Sequence, residues 1–197
     1  IKIIGHDKRI GQHYWYPGLG YGGSCFPKDV NELAAYSRSV GESDNLLNKI
    51  TQINTSRIPE LMEEYKSKIG DWTNKKVAVL GLSFKPNTND MREAPSTKVI
   101  PYLLNANAKV VGYDPRAIPD ADYFLPSSPD LTYAEDISVA ISGADVIICL
   151  VEWPEITSFD FPKVEGEKVL FIDARNQFDP AAIKKLGYMY QGVGVSE

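Results

Sequence analysis

A single cysteine, Cys25, stands inside the segment GYGGSCFPKD, residues 20–29, between a glycine cluster and a cation. The glycines at 20, 22 and 23 let the chain turn sharply and let another group approach closely. Pro27 fixes the chain direction just beyond. Lys28 and Asp29 follow, and a helical pattern starts after them, with Asp29 as its expected N-cap. A thiol at this place sits near a helix N-terminus and beside a cation. Both features favour the thiolate, which is the reactive form. A buried structural cysteine beside a tight turn is the other reading of the same pattern.

A second set of candidates comes from the strands. KKVAVLGLSF (75–84), KVVGYDP (109–115), DVIICLVEW (145–153) and KVLFIDARN (168–176) are short apolar runs rich in β-branched residues, and GYMYQGVG (187–194) offers a last one. Helical patterns separate them, in APSTKVIPYLLNANA (94–108), with Ser96 as a cap and Pro101 an oddity inside, and in YAEDISVAISGA (133–144). That alternation implies βαβ units and a parallel sheet covered on both faces. In such a sheet ligands bind beyond the carboxyl ends of the strands. Phe84, Lys85 and residues 87–92 follow the first strand, Glu152 and Trp153 the 145–153 run, and Asp173, Arg175 and Asn176 the 168–176 run. Lys85, Arg92 and Arg175 could therefore meet an anion, and guanidinium groups match phosphate oxygens with paired donors. Any one of them alone is better explained as a solvated surface charge; the three together favour a phosphate or nucleotide site. The G-x-G-x-x-G turn of a dinucleotide domain is absent, since GLSFKPNTND follows the first strand. The expected ligand is phosphorylated but not a dinucleotide held in the usual way.

The rest of the chain must hold these two sets together. Residues 1–28 carry no long periodic pattern. Val30, Leu33 and Ala34 recur at helical spacing up to Gly41, which is expected to end the helix. A longer helix starts near Ser43 or Asp44, with Leu46, Leu47, Ile50, Ile53, Ile58, Leu61, Met62, Tyr65 and Ile69 on one face. Pro59 should kink or break it. Its stripe can pack within its own chain or against a second subunit. Residues 70–74 read as a linker, and residues 118–130, with three prolines, as a surface loop. The fold class is α/β: a Rossmann-like parallel-sheet domain over 75–197, preceded by a helical region over 1–74.

The 197 residues are 43% hydrophobic and 24% charged, as in an ordinary globular protein, and the net charge of −5 argues against a general nucleic-acid binder. No apolar run approaches the roughly 20 residues that span a bilayer, and no signal peptide is visible. Cys25 and Cys149 suggest no disulfide framework, which fits a reducing, cytoplasmic setting. Cys149, inside VIICLV, reads as a core thiol. No Cys/His spacing points to a metal. The chain opens on Ile1 within IKIIGHDKRIG, as expected of a piece of a longer chain.

With those residues in hand, the sequence resembles the UDP-glucose/GDP-mannose dehydrogenase family, most closely its bacterial UDP-glucose 6-dehydrogenases. RIGQHYWYPGLGYGGSCFPKDV is similar to the family's active-site cysteine segment, and GLSFKPNTNDMREAPS to the start of its C-terminal nucleotide-sugar domain. LVEWPEI, FIDARNQF and YMYQGVG match later motifs, so the likeness covers essentially the whole chain. The resemblance implies the central and C-terminal parts of an enzyme whose N-terminal NAD-binding domain is missing here, together with that domain's catalytic residues. It implies a four-electron oxidation of a sugar C6 alcohol to a carboxylate with two NAD reduced, through a cysteine thiohemiacetal and thioester. Cys25 matches the nucleophile and Asp29 the acid that helps activate water. Arg9 matches an arginine that reaches a neighbouring subunit's substrate. Tyr14 and the segment Gly18, Leu19, Gly20, Tyr21, Gly22 and Gly23 match the substrate loop. Phe84 and Lys85 match uridine- and phosphate-contacting positions, and Arg175 falls near a substrate arginine. Lys28 and Arg92 match positions on the NAD side. The long helix corresponds to the one on which the family dimerises. UDP-glucose leads as substrate, with UDP-N-acetylmannosamine and GDP-mannose as alternatives. Two further readings are a non-catalytic nucleotide-sugar-binding and dimerisation module, and a cysteine hydrolase using Cys25 with His6 or His13.

Overall fold

The computed structural model describes residues 3–11, 16–42, 46–166 and 168–195. Tyr14, His13 and the expected helix start at Ser43 or Asp44 lie outside them.

Six strands form one fully parallel sheet: β1 (Lys76–Leu80), β2 (Lys109–Tyr113), β3 (Leu131–Tyr133), β4 (Val146–Cys149), β5 (Leu170–Asp173) and β6 (Met189–Gly192). Their order, β3-β2-β1-β4-β5-β6, is that of a doubly wound Rossmann-type sheet. β4 and β5 are buried at every position, as expected where helices cover both faces. Beside β5, Phe161 meets Phe171, Phe178 and Tyr188 edge to face, with ring centroids 5.0, 5.7 and 6.5 Å away.

Two helices precede the sheet, α1 (Phe26–Ser39) and α2 (Leu46–Ile69). Asp29 is not the cap of α1. Pro27 is tolerated in the first turn, where a missing N–H costs nothing, so the helix starts four residues earlier with Cys25 at the N-cap. Gly41, at φ +98°, ends it as expected, and the amides of Gly41 and Glu42 reach back to the carbonyls of Arg38 and Ser37. α2 runs unbroken through Pro59, so of the expected kink or break the break does not occur. Ile58, Leu61, Met62 and Tyr65 are buried in the same core as the sheet, and this tertiary burial holds the helix across the proline. The expected linker is part of that core too, because Trp72 is fully buried.

The crossovers use α3 (Ser96–Asn105), α4 (Ile118–Phe124), α5 (Ile137–Ile141), α6 (Pro154–Thr157) and α7 (Pro180–Lys185). Residues 118–124 are thus helical rather than loop: Pro119 sits in the first turn and Ala121 is buried. Ser96 is not a cap. Pro95 takes that position, and the Ser96 hydroxyl donates to the Leu82 carbonyl at 2.5 Å, tying α3 to the turn after β1. Among the described residues no helix is long and apolar enough to cross a membrane, and no three His, Cys, Asp or Glu side chains are grouped to hold a metal ion.

Candidate active site

The turns at the carboxyl edge of the sheet are pinned from below by two buried aspartates. Asp114, just past β2, is 2% exposed. Its Oδ2 accepts from the amides of Leu82 (2.7 Å) and Ser83 (3.0 Å), from the Ser83 hydroxyl (3.0 Å) and from Trp153 Nε1 (3.1 Å). Its Oδ1 accepts from the amides of Arg116 and Ala117 at 2.9 and 2.8 Å. The loop amides that would face a dinucleotide pyrophosphate are thus already bonded to an internal carboxylate. This is the physical counterpart of the missing glycine fingerprint. Asp173, at the end of β5, is fully buried and accepts from the amides of Arg175 (3.1 Å) and Phe178 (2.8 Å) and from the Tyr190 hydroxyl (3.0 Å). Burial first, then the charge of Asp173, pushes the Tyr190 hydroxyl well above its ordinary pKa, so it stays a donor.

These pinned turns present the expected side chains. Phe84 follows Ser83, and Lys85 Nζ lies over the Phe84 ring, 5.5 Å from its centroid. Arg175 is three-quarters or more shielded and holds Glu152 in a forked pair, Nε to Oε2 at 2.6 Å and Nη2 to Oε1 at 3.0 Å. Arg92 forks onto Asp90, Nη2 to Oδ2 at 2.7 Å, with 62% of its side chain exposed. The two arginines therefore arrive with carboxylate partners of their own rather than as bare charges aimed at one anion.

The glycine segment connects them. A side chain at Gly18 would meet Arg175 Nη1 at 2.6 Å, and one at Gly23 would strike the Phe84 ring at 2.8 Å. At Gly22 a Cβ would lie 2.1 Å from the Glu93 carbonyl oxygen, so only glycine fits. Glu93 holds a left-handed backbone, φ +51°, at this contact, which is costly for such a residue. The Gly23 amide donates to the Arg92 carbonyl at 3.0 Å. Leu19 is buried beneath the segment, and Tyr21 packs edge to face on Phe26 at 6.1 Å. The segment thus crosses the edge from the β5 turn to the β1 turn and delivers Cys25, exposed, to the first turn of α1.

Around Cys25 the charges differ from the sequence expectation. Lys28 Nζ pairs with Asp29 at 2.7 Å and with Glu32 at 3.6 Å, and these carboxylates raise its pKa. The Asp90 hydrogen bond and charge raise the Arg92 pKa, and the Arg92 carbonyl holds Gly23 two residues before Cys25. Asp29 lies one helical turn beyond Cys25, its amide donating to the Cys25 carbonyl at 2.8 Å. Arg9 stands out from the site, 88% exposed and forked onto Asp7 at 2.6 Å. His6 is exposed at the end of a 3-10 turn, Ile4–His6. Burial raises the Cys149 thiol far above its ordinary pKa, which makes it an inert core group.

Sequence reasoning overlooked Asp114 and Asn54. Asp114 was visible as a carboxylate at the end of an apolar strand. Asn54 was visible as a polar residue on the stripe of Ile50, Ile58 and Leu61, four or seven positions away from each.

Comparison with known proteins agrees with this geometry. The central-domain profile of the UDP-glucose/GDP-mannose dehydrogenase family matches residues 1–56, and that family's UDP binding domain matches residues 78–180. The chain is 37% identical over 193 residues to the UDP-glucose 6-dehydrogenase YwqF of Bacillus subtilis, covering 97% of this chain and 43% of that protein. It is 38% identical over 198 residues to a UDP-glucose 6-dehydrogenase of Pseudomonas aeruginosa, covering 97% and 44%. A UDP-glucose dehydrogenase structure from Pyrobaculum islandicum superposes with a TM-score of 0.81 at 31% identity, covering 99% of this chain and 43% of that one. The chain therefore spans under half the length of these relatives. An α/β sheet of Rossmann order, a glycine-threaded cysteine at its carboxyl edge and a family match over 103 residues of the sheet region (78–180) agree that the chain belongs to the UDP-glucose/GDP-mannose dehydrogenase family.

Proposed function

We propose that the chain is the central and nucleotide-sugar-binding part of an NAD-dependent UDP-glucose 6-dehydrogenase, with residues 1–74 carrying the cysteine loop and residues 75–197 holding the UDP moiety. The observation that carries this reading is the path of the glycine segment, which runs from Gly18 against Arg175 to Gly23 against Phe84 and the Arg92 carbonyl, two residues before Cys25. Phe84 offers a ring face for the base, Lys85 a charge for the diphosphate, and Arg175, steadied by Glu152, donors for the sugar side.

In the chemistry, the C6 alcohol is first oxidised to an aldehyde. Cys25 Sγ then adds to the carbonyl carbon, so that the reactive aldehyde is held as a thiohemiacetal. Oxidation at that carbon leaves a thioester. Water attacks the thioester carbon, its proton passes to the Asp29 carboxylate, and the C–S electron pair returns to sulfur as the carboxylate product leaves. NAD supplies the hydride acceptor. In this chain Arg92, exposed at the edge, is the residue that would suit its pyrophosphate, with Lys28, three residues past Cys25, as a second cation, whereas the Leu82–Ser83 turn would not.

The assembly follows from what α1 and α2 leave uncovered. Leu33 and Tyr36 on α1, Val40 at its C-cap, and Leu46 and Ile53 on α2 are 53–74% exposed, an apolar face suited to a homodimer. Arg9, 88% exposed, is the arginine offered to a neighbouring subunit's site. A cytoplasmic, reducing setting keeps the Cys25 thiol available.

Calorimetric titration of this chain with UDP, UDP-glucose, GDP and GDP-mannose tests the reading. Uridine ligands are expected to bind in preference, and Lys85→Ala to weaken them by roughly tenfold or more, the loss of one charged hydrogen bond. Preference for guanosine ligands would overturn the assignment of the base. The filled β1 turn leads to a second expectation: this chain alone forms no NADH from NAD and UDP-glucose. NADH formation by the isolated chain would show that it holds a dinucleotide site of its own.

A further inference from the structure

We propose that Asn54, on α2, is a positioning residue for Cys25; this rests on the reading of Cys25 as the nucleophile. The Asn54 amide grips both sides of one residue of the glycine segment. Its Oδ1 accepts from the Tyr21 amide at 2.8 Å, and its Nδ2 donates to the Tyr21 carbonyl at 3.1 Å. The neighbouring residue is fitted to that grip. Gly20 holds φ +110°, and a Cβ on it would lie 2.5 Å from Asn54 Oδ1. Asn54 itself stands on a fixed support, because Ile58, one turn on, is buried in the core. The segment is therefore clamped twice, at Tyr21 by α2 and at Gly23 by the Arg92 carbonyl. Cys25 lies two residues past the second clamp. Without the first, the Gly22–Gly23 stretch that leads into α1 is held on its upstream side only by the Gly23 bond, and the N-cap sulfur can shift with it. The nucleotide-binding side chains, Phe84 and Lys85, belong to a turn pinned by Asp114 and do not depend on Asn54.

This separation sets the test, in the full-length enzyme. Asn54→Ala removes both bonds. Asn54→Asp keeps the shape and the acceptor for the Tyr21 amide but turns an oxygen toward the Tyr21 carbonyl, and it carries the test if Asn54→Ala does not fold. Both are expected to lower kcat by roughly 10- to 100-fold, the usual cost of misplacing a reacting group by about 1 Å. The calorimetric affinity for UDP should stay within about threefold of the parent, a split that general loosening would not produce. A kcat within about twofold of the parent in the folded variant, or an equal loss in UDP affinity, would overturn the proposal. Cys25→Ala run beside them separates the two ideas. If it is inactive while the Asn54 variants are fast, only the role of Asn54 fails; if it turns over normally, the nucleophile assignment fails and the proposal with it.

Discussion

Cys25→Ser in the full-length enzyme is expected to lower steady-state turnover of UDP-glucose by about 10³-fold or more, on the scale seen when a covalent nucleophile is lost. The structure leaves the sulfur exposed at the start of α1, with the Gly22–Gly23 approach shaped around the Glu93 carbonyl and the Phe84 ring. A serine hydroxyl fits the same space, so the fold and the UDP pocket should survive. The chemistry should not. A hydroxyl is un-ionised near neutral pH and adds poorly to an aldehyde, and any acyl group that forms on it is an ordinary ester rather than a thioester. Two results are expected together: turnover near background, and either unreacted enzyme or a slowly hydrolysed covalent adduct on residue 25 by intact-protein mass spectrometry. Normal turnover would remove Cys25 from the mechanism. Cys149 offers no substitute, since it is buried at the end of β4 with its thiol pKa raised by that burial.

What could be read from the sequence follows the strength of the local signal. The long strands were legible because burial on both faces makes a parallel strand a continuous apolar run, as in the Val146–Cys149 segment. β3 escaped because three residues, Leu131–Tyr133, with one fully buried, carry almost no pattern. The helix over Ile118–Phe124 was hidden by Pro119, which reads as a loop signal but is suited to a first helical turn. Pro59 misled in the same direction. A proline costs a helix about 3 kcal/mol, and burial of Ile58, Leu61, Met62 and Tyr65 on the sheet outweighs it at about 1.5–3 kcal/mol per large side chain.

The positions of the candidate residues were legible one by one, but not how they are arranged. Phe84, Lys85, Arg92 and Arg175 were found from strand ends, and the structure places each at the carboxyl edge of the sheet. Their carboxylate partners were not found, because Asp90 and Glu152 pair through geometry that no spacing rule specifies. The assignment of Lys28 as the neighbouring cation of Cys25 came from sequence adjacency. In the structure Lys28 turns to its own helix neighbours, Asp29 and Glu32.

The largest effect on stability is expected at Asp114. Replacing it with alanine removes the acceptor for the amides of Leu82, Ser83, Arg116 and Ala117 and for Trp153 Nε1, in a place where the carboxylate is 2% exposed. Each orphaned donor costs about 1–3 kcal/mol if it stays dry, and water entering the gap recovers part of it, so the net loss should be about 3–5 kcal/mol. At about 2–4 °C per kcal/mol for a chain of this size, the melting temperature should fall by roughly 10 °C. Asp114→Asn is the sharper variant because it keeps the volume. Both oxygens accept from backbone N–H groups, so whichever one becomes the amide nitrogen then faces donors. It should cost about 2–3 kcal/mol and weaken UDP binding as well, since Phe84 and Lys85 ride on the turn that Asp114 fixes. Asp136→Asn is the matched control. Asp136 caps α5 by accepting from the Val139 amide at 2.8 Å at an exposed position, and asparagine caps a helix as well as aspartate does. Thermal melts of the three variants decide the matter: if Asp114→Asn melts with Asp136→Asn, the six bonds to Asp114 contribute little, and the turn after β1 is held by its own packing.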